Sequence, residues 1–240
     1  MAEAWKFRFE LSAVISTFAN PSSMRLLNLL LCIVVLGATA QTKKVTESVT
    51  LNGQSNLDLE FAFADDITFK TWDKNEVLVE VSVNIQDGKY NDIFTLESNK
   101  SSSTISIEMD REMWKKIPRS DRNNNCSWHS ELNYTVYAPK SMKISASTIS
   151  GDYLLTYAGA IMELKTISGE IDLTIPSKLG LDFKAKTISG EVYSDIDIEY
   201  PYGKEGLRQV VGQNVRGRIG SGGDESRFET ISGNIYLRKG

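Results

Sequence analysis

Cys126 and His129 are the residues whose types and spacing come closest to nucleophilic or metal chemistry. They lie three positions apart in the segment NNNCSWHS, and His129 is the only histidine of the chain. A structural zinc site needs about four ligands and a catalytic one about three. A nucleophilic cysteine needs a histidine placed in space, usually from far along the chain. We therefore interpret the pair as incidental residues of a loop, and we predict no metal, no cofactor and no catalytic residue.

Acidic residues recur at one position of a repeated motif and could form a stack of carboxylates. Asp152, Glu170 and Glu191 each follow the glycine of a TISG sequence. Such a stack could bind Ca²⁺, but calcium β-rolls use a nonapeptide repeat, G-G-x-G-x-D, that the chain lacks. Like charges on paired strands also repel each other. We interpret these residues as solvated turn residues.

Tryptophan could supply a third chemistry, the stacking of sugar rings. Trp72, Trp114 and Trp128 flank a polar segment at 113–130 that we read as a long loop. They could form a carbohydrate-binding patch. Tryptophan more often packs under a loop or caps the end of a sheet, and we prefer that interpretation.

The motif that carries these acids occurs four times, which indicates a structural unit rather than a catalytic one. TISG begins at residues 148, 166, 187 and 230, so the intervals are 18, 21 and 43 residues. Repeats of about 20 residues are typical of solenoids, in which each coil stacks on the previous one. Upstream, segments such as VLVEVSVNI at 77–85 alternate apolar and polar residues and predict half-buried strands. We expect an all-β fold: a β-helix-like solenoid of about 20-residue coils, continuous with an N-terminal strand-rich region.

The parity of apolar residues predicts a corner in each coil. An apolar residue lies three positions before each motif isoleucine, and two inward residues cannot be three apart on one flat strand. We place the corner near the threonine, with the isoleucines stacked inside, the glycines inward without a side chain, and threonine and serine outside. The first three isoleucines should stack in successive coils, and the fourth should continue the column or lie one layer further. The structural repeat residues are Ile149, Gly151, Ile167, Gly169, Ile188, Gly190, Ile231 and Gly233.

A secretory signal peptide is predicted at residues 24–40. An arginine is followed by an apolar run at 26–37 and then by the small residues ATA. The run is too short for a membrane span, which needs about 20 residues. We expect cleavage after Ala40, and residues 1–23 then represent a misplaced start codon, which we favour, or a long leader. Cys32 lacks the small preceding residues of a lipoprotein signal, so a lipid anchor is not favoured.

The remainder of the chain divides into a strand region at 41–137 and the repeat solenoid at 138–240, after a leader at 1–40. Without the leader the chain has 24 Lys and Arg against 29 Asp and Glu, a net charge of −5. No basic stripe appears, so we expect no nucleic-acid partner. Cys126 is then the only cysteine and cannot form an internal disulfide. We expect a protein of the periplasm or cell surface that is not an integral membrane protein after cleavage.

Several further segments accompany the TISG repeats: the GSGG turn, the final ISGNIYLRK, the segments FKTWDKNEV and VSVNI, and a Y-x-V-Y-x-P-K segment at 134–140. With these segments the sequence resembles, over about residues 45–240, a bacterial family of β-strand-repeat proteins known as putative adhesins. The resemblance implies a β-solenoid-like fold, export, no established catalytic activity and, by association, a role at the cell envelope.

We expect a non-enzymatic exported protein that acts in adhesion, binding or scaffolding at the cell envelope. A partner of an envelope-stress signalling system is the alternative, and a polysaccharide-acting enzyme is less favoured, because the acids are spread over repeat positions rather than clustered. Loops on a rigid scaffold carry recognition, so we expect a protein or glycan partner where the repeat is interrupted, at 113–130 and 200–224. The interval before the fourth motif is read as an inserted strand pair plus a loop at 200–206. The candidate binding residues are Trp114, Arg119, Arg122, Trp128, Tyr200, Tyr202 and Arg208.

Overall fold

The computed structural model describes residues 42–123, 128–201 and 212–240, which form an all-β structure. The all-β prediction is confirmed. Thr42–Gly240 is one compact unit. Two short 3-10 turns and the five-residue helix Arg119–Asn123 are the helical segments within these ranges, and two of the three lie in the segment read as a loop at 113–130. In the part of the chain that is described, no helix combines the length and the apolar character needed to cross a bilayer.

Fifteen strands are described. They are β1 (Lys43–Thr50), β2 (Asn56–Glu60), β3 (Phe63–Trp72), β4 (Glu76–Ile85), β5 (Leu96–Lys100), β6 (Thr104–Met109), β7 (Ser130–Pro139), β8 (Lys143–Thr156), β9 (Met162–Ser168), β10 (Ile171–Ile175), β11 (Leu181–Ser189), β12 (Val192–Ser194), β13 (Gln213–Ile219), β14 (Glu225–Ser232) and β15 (Ile235–Lys239).

Strand β8 passes through the first motif, and its two halves pair with different neighbours. The half before the motif pairs in parallel with β2 and β9, and the half after it pairs in parallel with β3 and β10. The strands therefore form two hydrogen-bonded runs. The first run, before the motifs, is β5-β6-β2-β8-β9-β14-β11-β13, and the second run, after them, is β1-β4-β7-β3-β8-β10-β15-β12. The pairs β1–β4, β4–β7, β5–β6 and β11–β13 are antiparallel.

The core lies between the two runs. Leu164, Phe228 and Ala185 lie in register on neighbouring strands of the first run and are fully buried. Tyr153, on the second run, is also fully buried, and its hydroxyl donates a hydrogen bond to the carbonyl of Lys165 at 3.0 Å. This contact across the core shows that the inner faces of the runs pack against each other.

The four motif copies do not stack in chain order. Strand β14 pairs in parallel with both β9 and β11, so the fourth copy lies between the second and the third. The prediction that Ile231 follows Ile188, or lies one layer further on, is wrong. Strand β13 pairs antiparallel with the other edge of β11, and its Arg218 also forms an antiparallel bridge with Glu199 of the inserted segment. Residues 202–211 of that excursion lie outside the described residues.

The GSGG turn at 220–223 lets the chain cross from β13 to β14 over the start of β11. A Cβ atom on Gly180, just before β11, would lie 2.3 Å from the carbonyl oxygen of Gly222. Gly220 and Gly222 have φ angles of +56° and +72°, which favour glycine. Because the backbones approach this closely, glycines are needed on both sides of the crossing.

Candidate functional site

The four motif isoleucines lie on the outside of the corner. Their side chains are 41% (Ile149), 45% (Ile167), 47% (Ile188) and 46% (Ile231) exposed. The inward column predicted for them, with the threonines outside, is therefore wrong. The threonine before each isoleucine is buried instead, and isoleucine and serine are successive outward residues. The corner lies at this Ile-Ser pair, and the inward residues three positions apart are threonine and glycine.

Hydrogen bonds explain why threonine occupies the inward position. The hydroxyls of Thr166, Thr230 and Thr187 each donate to the carbonyl of a motif glycine on the neighbouring coil, at 3.3, 3.0 and 2.9 Å. A buried hydroxyl is tolerated only when it has such a partner. The interior of the corner has no room for an isoleucine side chain, because the glycines bring the neighbouring backbones close together there.

The motif glycines stack closely on one another. A Cβ atom on Gly169 would lie 2.1 Å from the carbonyl oxygen of Gly151, and one on Gly233 would lie 2.0 Å from that of Gly169. The corresponding distance from Gly190 to the carbonyl oxygen of Gly233 is 2.0 Å. No side chain fits at these positions, so the glycines allow the backbones of neighbouring coils to approach each other closely.

The exposed isoleucines form a continuous row across four parallel strands. Their neighbours in sequence are paired in register, so the residues follow one another about 4.8 Å apart along the sheet. We name this the isoleucine row, and in spatial order it consists of Ile149, Ile167, Ile231 and Ile188. A contiguous exposed apolar feature of this kind is typical of a binding surface rather than of scattered surface residues.

A second outward row faces the isoleucine row and encloses a groove of about 440 Å³. Its members lie two residues before each isoleucine, with Glu60 on β2 extending the row. We name this the charged row, and in spatial order it consists of Glu60, Ser147, Lys165, Glu229 and Lys186. Glu60 forms an ion pair with Arg111 at the β2 end, and Lys165 contacts Glu163 at 2.7 Å.

Aromatic residues line a second groove of about 340 Å³ beside the first. The ring centroids of Trp114 and Trp128 are 6.0 Å apart, and those of Phe63 and Trp114 are 5.9 Å apart, both edge to face. Ala62 lines the first groove and Phe63 the second, so the two are contiguous. The buried indole Nε1 of Trp114 has no hydrogen-bond partner among the described residues.

Trp72 does not join this aromatic groove. Its ring stacks on Tyr137 with centroids 5.1 Å apart, and its Nε1 donates to the carbonyl of Glu76 at 2.8 Å. It therefore packs against the outer face of β3 and β7, separate from the other two tryptophans.

The remaining sequence candidates are not brought together. Arg119 and Tyr200 are exposed and line neither groove. The side chain of Arg122, and residues Tyr202, Arg208 and Cys126, lie outside the described residues. His129 is exposed. Within residues 42–123, 128–201 and 212–240, no three His, Cys, Asp or Glu side chains are grouped so as to hold a metal.

Two of the residues that follow the motif glycines, Asp152 and Asn234, accept hydrogen bonds from the backbone of the next coil. Asp152 accepts a hydrogen bond from the amide of Glu170 at 2.8 Å, and Asn234 accepts one from the amide of Glu191 at 3.0 Å. Asp66 extends this row beside Asp152. Its pKa is raised, first by burial and then by the nearby carboxylates of Asp152, Asp65 and Glu131.

Sequence reasoning missed the residues that enclose the first groove. Lys165, Glu229 and Lys186 share one place in the repeat, two positions before the motif isoleucine. This periodic placement was the available signal, but it points to a groove only if the isoleucine faces outward. Phe63 carries no repeat signal and is placed by the pairing of β3 with β8.

Comparison with known proteins gives similarity to solved structures alone. No protein-family profile matches the chain, and no curated protein matches its sequence. The structure is similar to a putative cell adhesion protein from Clostridium sporogenes, with 10% identity, TM-score 0.49, and 83% of this chain and 100% of that chain covered. A putative adhesin from Bacteroides fragilis has 9% identity, TM-score 0.26 and coverages of 81% and 97%. A putative lipid binding protein from Parabacteroides distasonis has 11% identity, TM-score 0.23 and coverages of 82% and 97%.

Proposed function

We propose that this chain is an exported, non-enzymatic β-repeat protein that binds a partner at the bacterial cell envelope through the isoleucine row and its groove. The observation that carries the proposal is the exposure of the same apolar residue on four neighbouring strands. Burial of apolar surface drives association. Because the isoleucines lie on a sheet fixed by registered pairing, binding there does not cost the conformational entropy of ordering a loop. This moves the candidate site from the interruptions of the repeat to the repeat itself.

The finer architecture and the location belong to the same proposal. Parallel pairing of corresponding strands, coil after coil, supports a β-solenoid of about 20-residue units over 138–240, joined to the strand region at 41–137. Export rests on the leader at 24–40, with its positive, apolar and small-residue order. Adhesion and partnership with an envelope sensor are two settings in which such a binding surface would act.

The aromatic groove is a second candidate binding surface, and its partner would be a glycan. Trp114, Trp128 and Phe63 supply ring faces and edges, and Asp65 and Ser130 supply polar groups in the same lining. Sugar recognition combines such stacking with a few placed hydrogen bonds. The other candidate residues of the interruptions remain proposed binding residues and are not assigned to this second surface.

Charge introduced into the isoleucine row tests the proposed function. The Ile167→Glu, Ile231→Glu double variant should fold and should lose capture of its partner from envelope extracts. Leu154→Glu is the matched control, because Leu154 is 39% exposed on the second run, away from both grooves, and should retain capture. Retained capture by the double variant would contradict the proposed surface. Cleavage of envelope polysaccharide by the purified protein would contradict the non-enzymatic assignment.

A further inference from the structure

The groove beside the isoleucine row is narrow and long. Its walls are residues i and i+2 of each strand, so they are about 7 Å apart at the backbone. It crosses β2, β8, β9, β14 and β11, which gives a length of about 19 Å over four strand intervals. An α-helix, about 10–12 Å in diameter with its side chains, is too wide to enter. The dimensions favour a slender chain that lies across the strands.

The floor of the groove offers no free hydrogen-bonding groups to such a chain. Thr148, Thr166 and Thr230 line it, and their hydroxyls donate to the carbonyls of motif residues. The strand backbones are paired with their neighbours on both sides. A peptide or a glycan lying here would find no replacement on the floor for the hydrogen bonds to water that it loses there, which costs free energy for each polar group. An occupant without polar groups along its length loses nothing.

The isoleucine wall is apolar, whereas the opposite wall alternates in charge, because Glu229 lies in register between Lys165 and Lys186 and leaves the positive charge of Lys186 at the β11 end. The isoleucines form one wall, and the aliphatic stems of Lys165 and Lys186 contribute to the other. At the β2 end the charges of Glu60 and Arg111 are paired. At the β11 end, no ion pair of Lys186 is found among the described residues. A ligand with one anionic end would place that end at Lys186.

We propose, on the basis of the proposed function above, that this groove binds a single long acyl chain with an anionic head group, namely a free long-chain fatty acid. The hydrocarbon lies along the isoleucine row, and the carboxylate lies at Lys186. The chain buries apolar surface against four isoleucines, and the head group remains in water beside the ammonium group.

Displacement of a fluorescent probe tests the proposal. Dansylaminoundecanoic acid is bound to the purified protein and displaced by octanoate, decanoate, dodecanoate, tetradecanoate or hexadecanoate. Affinity should rise about two- to fourfold for each added methylene, as expected for partial to full burial of the group, and should level off once the chain fills the groove. Affinity that does not depend on chain length would overturn the proposal.

Two variants separate the chain site from the head-group site. Ile167→Glu, Ile231→Glu should abolish probe binding, and Leu154→Glu should leave it unchanged. Lys186→Gln should weaken the binding of dodecanoate about two- to fivefold, as expected for loss of an exposed ion pair, and should leave that of dodecanol unchanged. Equal weakening of both ligands would overturn the assignment of the head group.

The failure of this inference can be distinguished from the failure of the proposed function. If the isoleucine variants lose capture from envelope extracts while the wild-type protein binds neither the probe nor any of the fatty acids, the proposed function stands and the acyl ligand is wrong. Binding only to anionic vesicles, and not to monomeric fatty acid, would likewise overturn the inference in favour of a membrane surface. A concentration-dependent dimer in sedimentation, lost in the double variant and insensitive to fatty acid, would assign the row to a second copy of the chain.

Discussion

Threonine and glycine act together at three of the four corners of the repeat, those of Thr166, Thr230 and Thr187. The threonine hydroxyl needs an acceptor inside the protein, and the glycine of the neighbouring coil supplies its carbonyl because no Cβ atom stands between them. Isoleucine cannot form this hydrogen bond and lies outside. The exposed isoleucine row is therefore a consequence of how the corner is hydrogen-bonded, and it recurs once per coil.

Removal of one corner hydroxyl should be measurable as a loss of stability. Thr230→Val keeps the shape of the side chain and leaves the carbonyl of Gly169 without the hydroxyl that Thr230 donates to it. We expect a loss of about 1–2 kcal/mol in the free energy of unfolding, as for a buried hydrogen bond left unmade. Urea denaturation measures it, with the exposed Ser232→Ala as the control within about 0.5 kcal/mol. Equal effects would contradict the inward assignment of threonine.

A methyl group at a motif glycine should be far more damaging than one at an open glycine. In Gly169→Ala the new Cβ would meet the carbonyl oxygen of Gly151 at 2.1 Å, whereas in Gly223→Ala the nearest atom is 3.6 Å away. We expect a loss of about 3 kcal/mol or more for the first variant, because the coils must separate. The second should change stability little. Thermal unfolding of both variants compares them directly, and similar melting temperatures would contradict the close stacking of the coils.

The carboxylate of Asp66 should destabilise the fold at neutral pH. Although Asp66 is exposed, its pKa is raised by partial desolvation and by Asp152, Asp65 and Glu131, so the folded protein holds the proton more tightly than the unfolded chain does. The penalty is present above the raised pKa and disappears as the pH falls below the unfolded value of about 3.9. Asp66→Asn should therefore increase stability at pH 7, by an amount that shrinks on acidification. Stability curves against pH for this variant and for the exposed Asp197→Asn test it, and a gain that grows on acidification would contradict the account.

The strands combine a strictly alternating buried face with an exposed row that breaks the alternation. Leu164 and Thr166 face the core on β9, and Ile167 begins the outward pair at the corner. An apolar residue at this position is thus not a core residue, although it is as hydrophobic as its buried neighbour. Stability and binding are consequently divided between adjacent residues of one strand.

This division predicts losses of stability of very different size for two truncations on the same strand. Leu164→Ala removes a fully buried side chain and should lower stability by about 2–5 kcal/mol. Ile167→Ala, at a side chain that is 45% exposed, should lower it by less than about 1 kcal/mol. Chemical denaturation gives both values, and comparable losses would show that the isoleucine row is buried after all.

Alternation in the sequence was sufficient to predict the strands, and the repeat was sufficient to predict a corner in every coil. The sequence pattern could not determine which residues face inward at that corner. Two inward residues three apart can be the upstream apolar residue and isoleucine, or threonine and glycine, and hydropathy favoured the first pair. The second pair occurs because the threonine hydroxyl finds a hydrogen-bond acceptor on the next coil. A single sequence does not reveal that contact.

At the scale of the whole molecule, the order of the coils determines the length of the binding surface. The fourth motif lies between the second and the third because the GSGG turn crosses over β11 and returns the chain to its inner edge. Without the fourth motif in this position, Ile188 would follow Ile167 directly and the isoleucine row would contain only three residues. The spacing of 43 residues indicated an interruption, but not that the chain returns inside the stack.

Disulfide cross-linking tests this order, and with it the existence of the isoleucine row, most directly. In a Cys32→Ser, Cys126→Ser background, the pair Ser168→Cys, Ser232→Cys places thiols on adjacent registered strands, about 4.8 Å apart at Cα, within the range for a disulfide. The pair Ser168→Cys, Ser189→Cys lies two strands apart, at about 9.6 Å. We predict rapid oxidation of the first pair and none of the second. Rapid oxidation of the second pair, with none of the first, would contradict the arrangement of the coils and the four-residue row that depends on it.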